Sequence, residues 1–271
     1  MPEQSHDLPQ SDRVGVLTAA VLLTYALTHI IQTPEFTLSI QLPGFYLALP
    51  ITLGTIMTLL SAGLAATGMD WLLRAHPSLE GKPTFEHWLL PTLMTFVIGV
   101  TLSLLHSNIT WWFGLGISAL LLMLVFMAEY VVVEPDAPNY TAARSGLTAL
   151  SYALFLIFAT ALQLAGVRFM LLIPILFLAA GLVTLRILHL DGADRWDFPW
   201  AAGIGLVCAQ MGAGLHYWPL TALQFSLALT GALYALTVFS TNVTDGLPVR
   251  RAALEPGIIL ALAWSAAAFL R

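Results

Sequence analysis

Nine apolar runs dominate the chain, at about 13–33, 44–66, 88–106, 110–131, 146–164, 168–188, 199–217, 219–241 and 255–270. Each is close to the ~20 residues that a helix needs to cross a hydrocarbon core. The last is the shortest. Apolar residues are continuous within the runs and do not alternate, which excludes the strands of a membrane barrel. Inside lipid every backbone N–H and C=O must be bonded within the chain, so such runs predict α-helices. The expected fold is therefore all-α, a polytopic transmembrane helix bundle of about nine spans. Residues 1–12 form a polar N-terminal segment and 13–271 a single helical membrane domain.

Small and polar residues refine the picture. Wound as a helix, 199–217 places Ala201, Gly205, Ala209, Gly212, Ala213 and His216 on one face, a seam suited to close helix packing. Gln210 falls opposite, and the pattern predicts a buried amide touching protein there. Met69–Ala75 (MDWLLRA) reads as an interfacial turn, with Trp71 and Leu72 inward and Asp70 and Arg74 in water. Glu134–Pro138, His189–Asp197 and Asp245–Pro248 read as charged turns.

Composition agrees. The chain is 58% hydrophobic and only 9% charged, with mean hydropathy +0.84, against about 25% charged residues in soluble domains. A net charge of −5 offers nothing to nucleic acid. The one cysteine, Cys208, excludes an internal disulfide. The polar, acidic start does not resemble a cleavable signal peptide, so the first span is expected to be retained. With nine spans, one side of the membrane receives Arg13, Arg74, Lys82, Arg144, Arg186, Arg195, Arg250 and Arg251. The other receives Arg168 and Arg271. The positive-inside rule then predicts a cytoplasmic N-terminus.

Candidate chemistry falls at the two ends of the spans. At the outer ends, Tyr25, Thr28 and His29 share one helix face. Thr92, Thr95, Gly99, Ser103 and His106 form a second stripe, and His216 and Gln163 end two further spans. His29, His106 and His216 form a candidate metal set if their helices adjoin. Tyr25, Ser103, Gln163 and Gln210 form a candidate polar or packing site. A histidine at a helix C-terminus also suits the free carbonyls there, which gives these positions a plain structural reading. At the inner ends, Glu86, His87, Glu129, His189, Asp191 and Asp194 form a candidate acid and histidine cluster. Solvated loop charges are its structural counterpart. No Asp, Glu, Lys or Arg lies near mid-span, which speaks against a carboxylate relay through the bundle. Lys82, the only lysine, lies in a loop, so no retinal-type Schiff base is expected. No cofactor is predicted.

The runs TGMDWLLRAHP (67–77), EHWLLP (86–91), AEYVVVEPDAPNY (128–140) and HYWPL (216–220) resemble those of an uncharacterised family of bacterial polytopic membrane proteins. The resemblance implies an all-helical architecture and a bacterial cytoplasmic membrane. It implies no activity, and it assigns no residue a role.

Three functional readings follow. The first is an accessory or scaffold subunit, or a binding component, of a membrane assembly. Its partners would be lipids and other subunits or a second copy of the chain. The second is a carrier or channel for a neutral or lipid-like molecule. The third is an enzyme working through the inner acid and histidine cluster.

Overall fold

The computed structural model describes residues 11–31, 36–42, 45–74, 79, 84–106, 108–136, 138–191 and 196–270. Among them, nine helical segments are long and apolar enough to cross a membrane, from Asp12–Ile30 to Val249–Phe269. The protein is a multi-pass helical membrane protein, as its hydropathy predicts. The chain forms two compact units, residues 1–143 and 144–271.

The first unit holds α1 (Ser11–Ile30), β1 (Phe36–Leu42), β2 (Phe45–Ile51), α2 (Leu53–Leu73), a 3-10 turn (Phe85–His87), α3 (Leu89–Leu104) and α4 (Ile109–Val132). The strands correct the expected second span, which was to begin at 44. β1 and β2 pair antiparallel, with Phe36 opposite Ile51 and Leu42 opposite Phe45. The reason lies in Pro50, which has no N–H and breaks a helix interior. The helix starts behind it, where the Thr52 hydroxyl accepts the Thr55 N–H at 3.2 Å as an N-cap.

Because α2 begins late, it also ends late. Met69–Leu73, expected to lie flat at the interface, forms its last turn and buries Met69, Leu72 and Leu73. Trp71 points outward instead of inward, with the Arg13 guanidinium 5.0 Å from its ring centre. Asp70 pairs with Arg74 at 2.7 Å, one helical turn apart.

Two pairs of facing residues set the direction of each neighbour of α2. Leu17 of α1 lies against Gly68 of α2, and the Thr24 and Ser61 hydroxyls are hydrogen-bonded. Thr58 of α2 lies against Gly99 of α3, and the Thr84 hydroxyl donates to Asp70 at 2.6 Å. Both neighbours of α2 are thus antiparallel to it, so α1 and α3 run parallel.

The second unit holds most of α5 (Tyr140–Leu164) with α6 (Phe169–Asp191), α7 (Phe198–His216), α8 (Ala222–Thr244), the short α9 (Val249–Ala252) and α10 (Leu254–Phe269). The predicted small-residue seam of α7 is buried at Ala201, Gly205, Ala209 and Gly212. A Cβ at Gly205 would lie 2.8 Å from the Phe177 carbonyl oxygen and 3.2 Å from the Gly181 nitrogen. Backbone therefore meets backbone between α6 and α7, a contact only glycine permits. Cys208 is buried and free.

At the start of α8, Thr221 and Gln224 form a reciprocal capping box. The Gln224 amide nitrogen also donates to the Leu270 carbonyl at 2.5 Å. One side chain thus caps α8 and binds the end of α10.

Candidate functional site

The parallel course of α1 and α3 brings Tyr25 level with Thr95. The Tyr25 hydroxyl donates to the Thr95 carbonyl at 2.5 Å, and Tyr25 and Thr95 are both buried. Toward the hairpin end of the unit the two helices leave a cavity of about 210 Å³. It is lined by Tyr25, Thr28, His29, Thr58, Ser103 and Trp111, among others. Gly99 also lines it. A side chain there would strike the Thr58 hydroxyl at 2.6 Å, so glycine leaves room for that group.

The chemistry of this lining follows from where its protons go. Thr28 donates to the Tyr25 carbonyl at 2.7 Å and Ser103 to the Val100 carbonyl at 2.7 Å. With Tyr25 committed to Thr95, three hydroxyl oxygens retain only acceptor lone pairs. The His29 ring stacks on Trp111, centroids 4.1 Å apart at 20°, with the Trp112 edge at 5.9 Å. Among the described residues no charged side chain lines the cavity, which suits a neutral guest.

Three of the sequence candidates, Tyr25, His29 and Ser103, thus meet around one cavity. His106 does not join them: it is exposed beyond the end of α3 and is absent from the lining. Thr58 and Ser61 escaped the sequence reading, although Thr58, Ser61, Ala65 and Gly68 recur at helical spacing and all are buried. That stripe was a readable signal. It was obscured by placing the second span nine residues too early.

A second cluster lies at the opposite end of the unit. His87, in the 3-10 turn before α3, places Nδ1 2.8 Å from Glu129 Oε2 on α4 and Nε2 3.3 Å from Glu86 Oε1. The Glu129 side chain is fully buried and that of His87 is 6% exposed. Of the expected inner cluster, these three residues are brought together. A carboxylate and imidazole taken out of water hold each other in place, and neither is favourable there alone.

In the second unit, Asp191 pairs with Arg144 at 2.9 Å, and the His189 ring stacks on Trp196 with centroids 4.4 Å apart. Asp194 lies outside the described residues. Gln163 is half-buried near the end of α5. Gln210, expected to be buried against protein, is exposed on α7. The reason is the seam itself: α7 turns Ala201, Gly205 and Gly212 inward, and a residue opposite them must face out. His216 packs against Phe169 and Tyr217, ring centroids 5.7 and 5.3 Å away. Among the described residues its Nδ1 is buried without a hydrogen bond. Among the described residues, no three His, Cys, Asp or Glu side chains gather at the dimensions of a metal site.

No curated protein and no solved structure matches the chain. Residues 31–270 match the family described as a protein of unknown function, DUF5656. That match spans α2 to α10 and takes in the His87–Glu129 pair, whereas Tyr25, Thr28 and His29 of the cavity lie before it; the chain belongs to this uncharacterised family.

Proposed function

We propose that this protein is a binding component of a bacterial cytoplasmic-membrane assembly, and that the cavity of the first unit holds its ligand. The observation that carries this reading is the lining. It combines an aromatic wall at Trp111 and His29 with hydroxyl oxygens from Tyr25, Thr28, Thr58 and Ser103. Ligand sites are mostly apolar with a few placed polar groups, and this cavity has that character. Its volume, about 210 Å³, is below the ~300 Å³ of common drug-sized sites. It suits one small neutral molecule, or the polar end of a longer lipid-like one.

Native mass spectrometry of protein purified in mild detergent tests the reading, paired with analysis of the extracted small molecules. A neutral species retained by the wild type and lost from Ser103→Leu and His29→Ala supports it. Equal retention by the variants, or no retained species, overturns it. Membrane proteins that co-purify with both wild type and variants would mark the assembly.

The carrier reading draws on the same cavity, because it opens at one end of a polar stripe and not in a purely apolar core. Transport of the retained species into sealed vesicles would separate a carrier from a binding subunit.

A further inference from the structure

Inside lipid a polar side chain needs a partner from protein. Hydroxyls on the outward faces of the spans find one in their own helix. Thr67 donates to the Gly63 carbonyl at 3.0 Å, Ser103 to Val100 at 2.7 Å and Ser265 to Ala261 at 2.7 Å. The longer amides of the second unit are placed as well. Gln224 is bonded to Leu270, and Asn242 donates to the Ala252 carbonyl at 3.3 Å. Gln163 is next to the last residue of α5, within reach of water at the membrane surface.

Gln210 departs from this pattern. It is exposed on α7 and forms no hydrogen bond among the described residues. It lies twelve residues after Phe198 and six before His216, about 18 Å and 9 Å along the helix axis. Its amide therefore falls within the hydrocarbon layer, against acyl chains that neither donate nor accept. The helix around it is bare. Gly203, Leu206 and Gly214 fall within about 40° of Gln210 around the axis, and all three are exposed. A Cβ at Gly203 or Gly214 would meet nothing within 4 Å. Gly205 and Gly212 face the other way and lie against Phe177, Gly181 and Leu176. Two of the four glycines of α7 thus serve contacts within the chain. The other two do not, although glycine weakens a helix.

We propose that the Gln210 face of α7 is the contact between two copies of this chain. The uneven spread of Arg and Lys along the sequence gives every copy the same orientation in the membrane. Two copies are then related by an axis along the membrane normal, and Gln210 of one protomer stands at the depth of the partner's Gln210. A carboxamide carries both donors and an acceptor. Each Gln210 donates to the side-chain oxygen of the partner's Gln210 and accepts in return, the self-match that a two-fold contact requires. An unrelated membrane protein would have to place a polar group at that depth by its own sequence. Gly203 and Gly214, two turns before Gln210 and one turn after, let the two helices approach until such short side chains meet. Alanine, also small, would still admit that approach. The exposed residues of this face, Ala202, Gly203, Leu206, Val207 and Gly214, carry no charge, so the copies do not repel. The contact lies in the second unit and needs no guest in the cavity of the first. Retention of a small molecule and the number of copies therefore stand or fall separately.

The test counts copies. The full chain, with one fluorophore on a C-terminal tag, is placed in phosphatidylcholine and phosphatidylglycerol vesicles at increasing lipid dilution, and bleaching steps per spot are scored. The wild type is expected to pass from two steps to one on dilution. Gln210→Leu is expected to do so at a dilution at least ~10-fold smaller, and Gln210→Asn, which keeps the amide, to fall between. In a Cys208→Ala background, Leu206→Cys is expected to join two copies on mild oxidation in native membranes. Leu178→Cys, on an exposed position of α6, is expected to stay single. That pair leaves Gln210 in place, so it decides the matter if Gln210→Leu fails to fold. Single steps from the wild type at every dilution overturn the proposal, as do equal dilution curves for the wild type and a folded Gln210→Leu. Equal cross-linking of the two cysteine variants, or a different membrane protein captured by Leu206→Cys in place of a second copy, overturns it too.

Discussion

The two units solve the same packing problem in different ways. In the second, helices approach closely at glycines: Gly205 meets the Phe177 and Gly181 backbone, and Gly212 and Gly231 leave room for the Leu176 and Ala263 side chains. In the first, helices are held partly by hydroxyls and leave polar space between them, from the Thr24–Ser61 and Tyr25–Thr95 bonds to the cavity at His29. The second unit also has a cavity of about 220 Å³ between α7, α8 and α10, but its walls are almost wholly apolar, including Val207, Leu236, Phe239 and Leu260. Apolar runs of similar hydropathy thus build one apolar cavity and one lined with hydroxyls. A few Ser, Thr and Gly positions decide between them.

The sharpest break in this contrast is predicted at Glu129. Glu129→Ala removes one member of a buried pair and strands the other, at a cost of about 3–5 kcal/mol. Unfolding in mixed detergent micelles measures it. A cost below ~1 kcal/mol would mean that the first unit does not depend on its polar interior.

Next comes Gly205→Ala. The added methyl would lie 2.8 Å from a carbonyl oxygen that cannot swing away, so α6 and α7 must part, at about 2–3 kcal/mol. Its control is Gly203→Ala, two residues away, where nothing lies within 4 Å. There the change removes backbone freedom and is expected to be neutral or to stabilise by up to ~1 kcal/mol. If the two variants melt alike, close approach is not what holds the second unit together.

Tyr25→Phe removes one buried hydrogen bond and is expected to cost about 1 kcal/mol. It should weaken retention of a cavity ligand more than it lowers the melting temperature. The smallest effect is expected at Asp191→Asn. Its pair with Arg144 has side chains about a third exposed, and such pairs are worth well under ~1 kcal/mol. A larger loss at Asp191 than at Tyr25 would reverse the order of importance of the two units.

Helix count and most helix bounds were legible because hydropathy responds to length and apolarity, which nine segments supply. The second span was misplaced because hydropathy does not distinguish an apolar hairpin from the start of an apolar helix. Pro50 and Thr52 carried the missing information. The α7 seam was readable from periodicity alone. The environment of Gln210 was not, since periodicity fixes which residues share a face and says nothing of what covers it. Within the candidate sites, Tyr25, His29 and Ser103 were found because each closes a polar stripe near a span's end. His87 and Glu129 were found only as members of a list of charges. Their pairing depends on the packing of the Phe85–His87 turn against α4, which no local pattern records. Thr58 matters through what it faces, Gly99 of α3, a property of three dimensions.

The side chain of Gln224 has a consequence in time as well as in space. Its bond to Leu270 joins the first turn of α8 to a carbonyl made some 46 residues later. During synthesis α8 can enter the membrane with its cap already formed. The amide nitrogen then waits for the chain to be made through Leu270. This contact between α8 and α10 therefore forms only after both helices have been made. A chain cut just before Leu270 would keep the Trp264 bond to the Ala228 carbonyl and lose only this clasp at the end of α10.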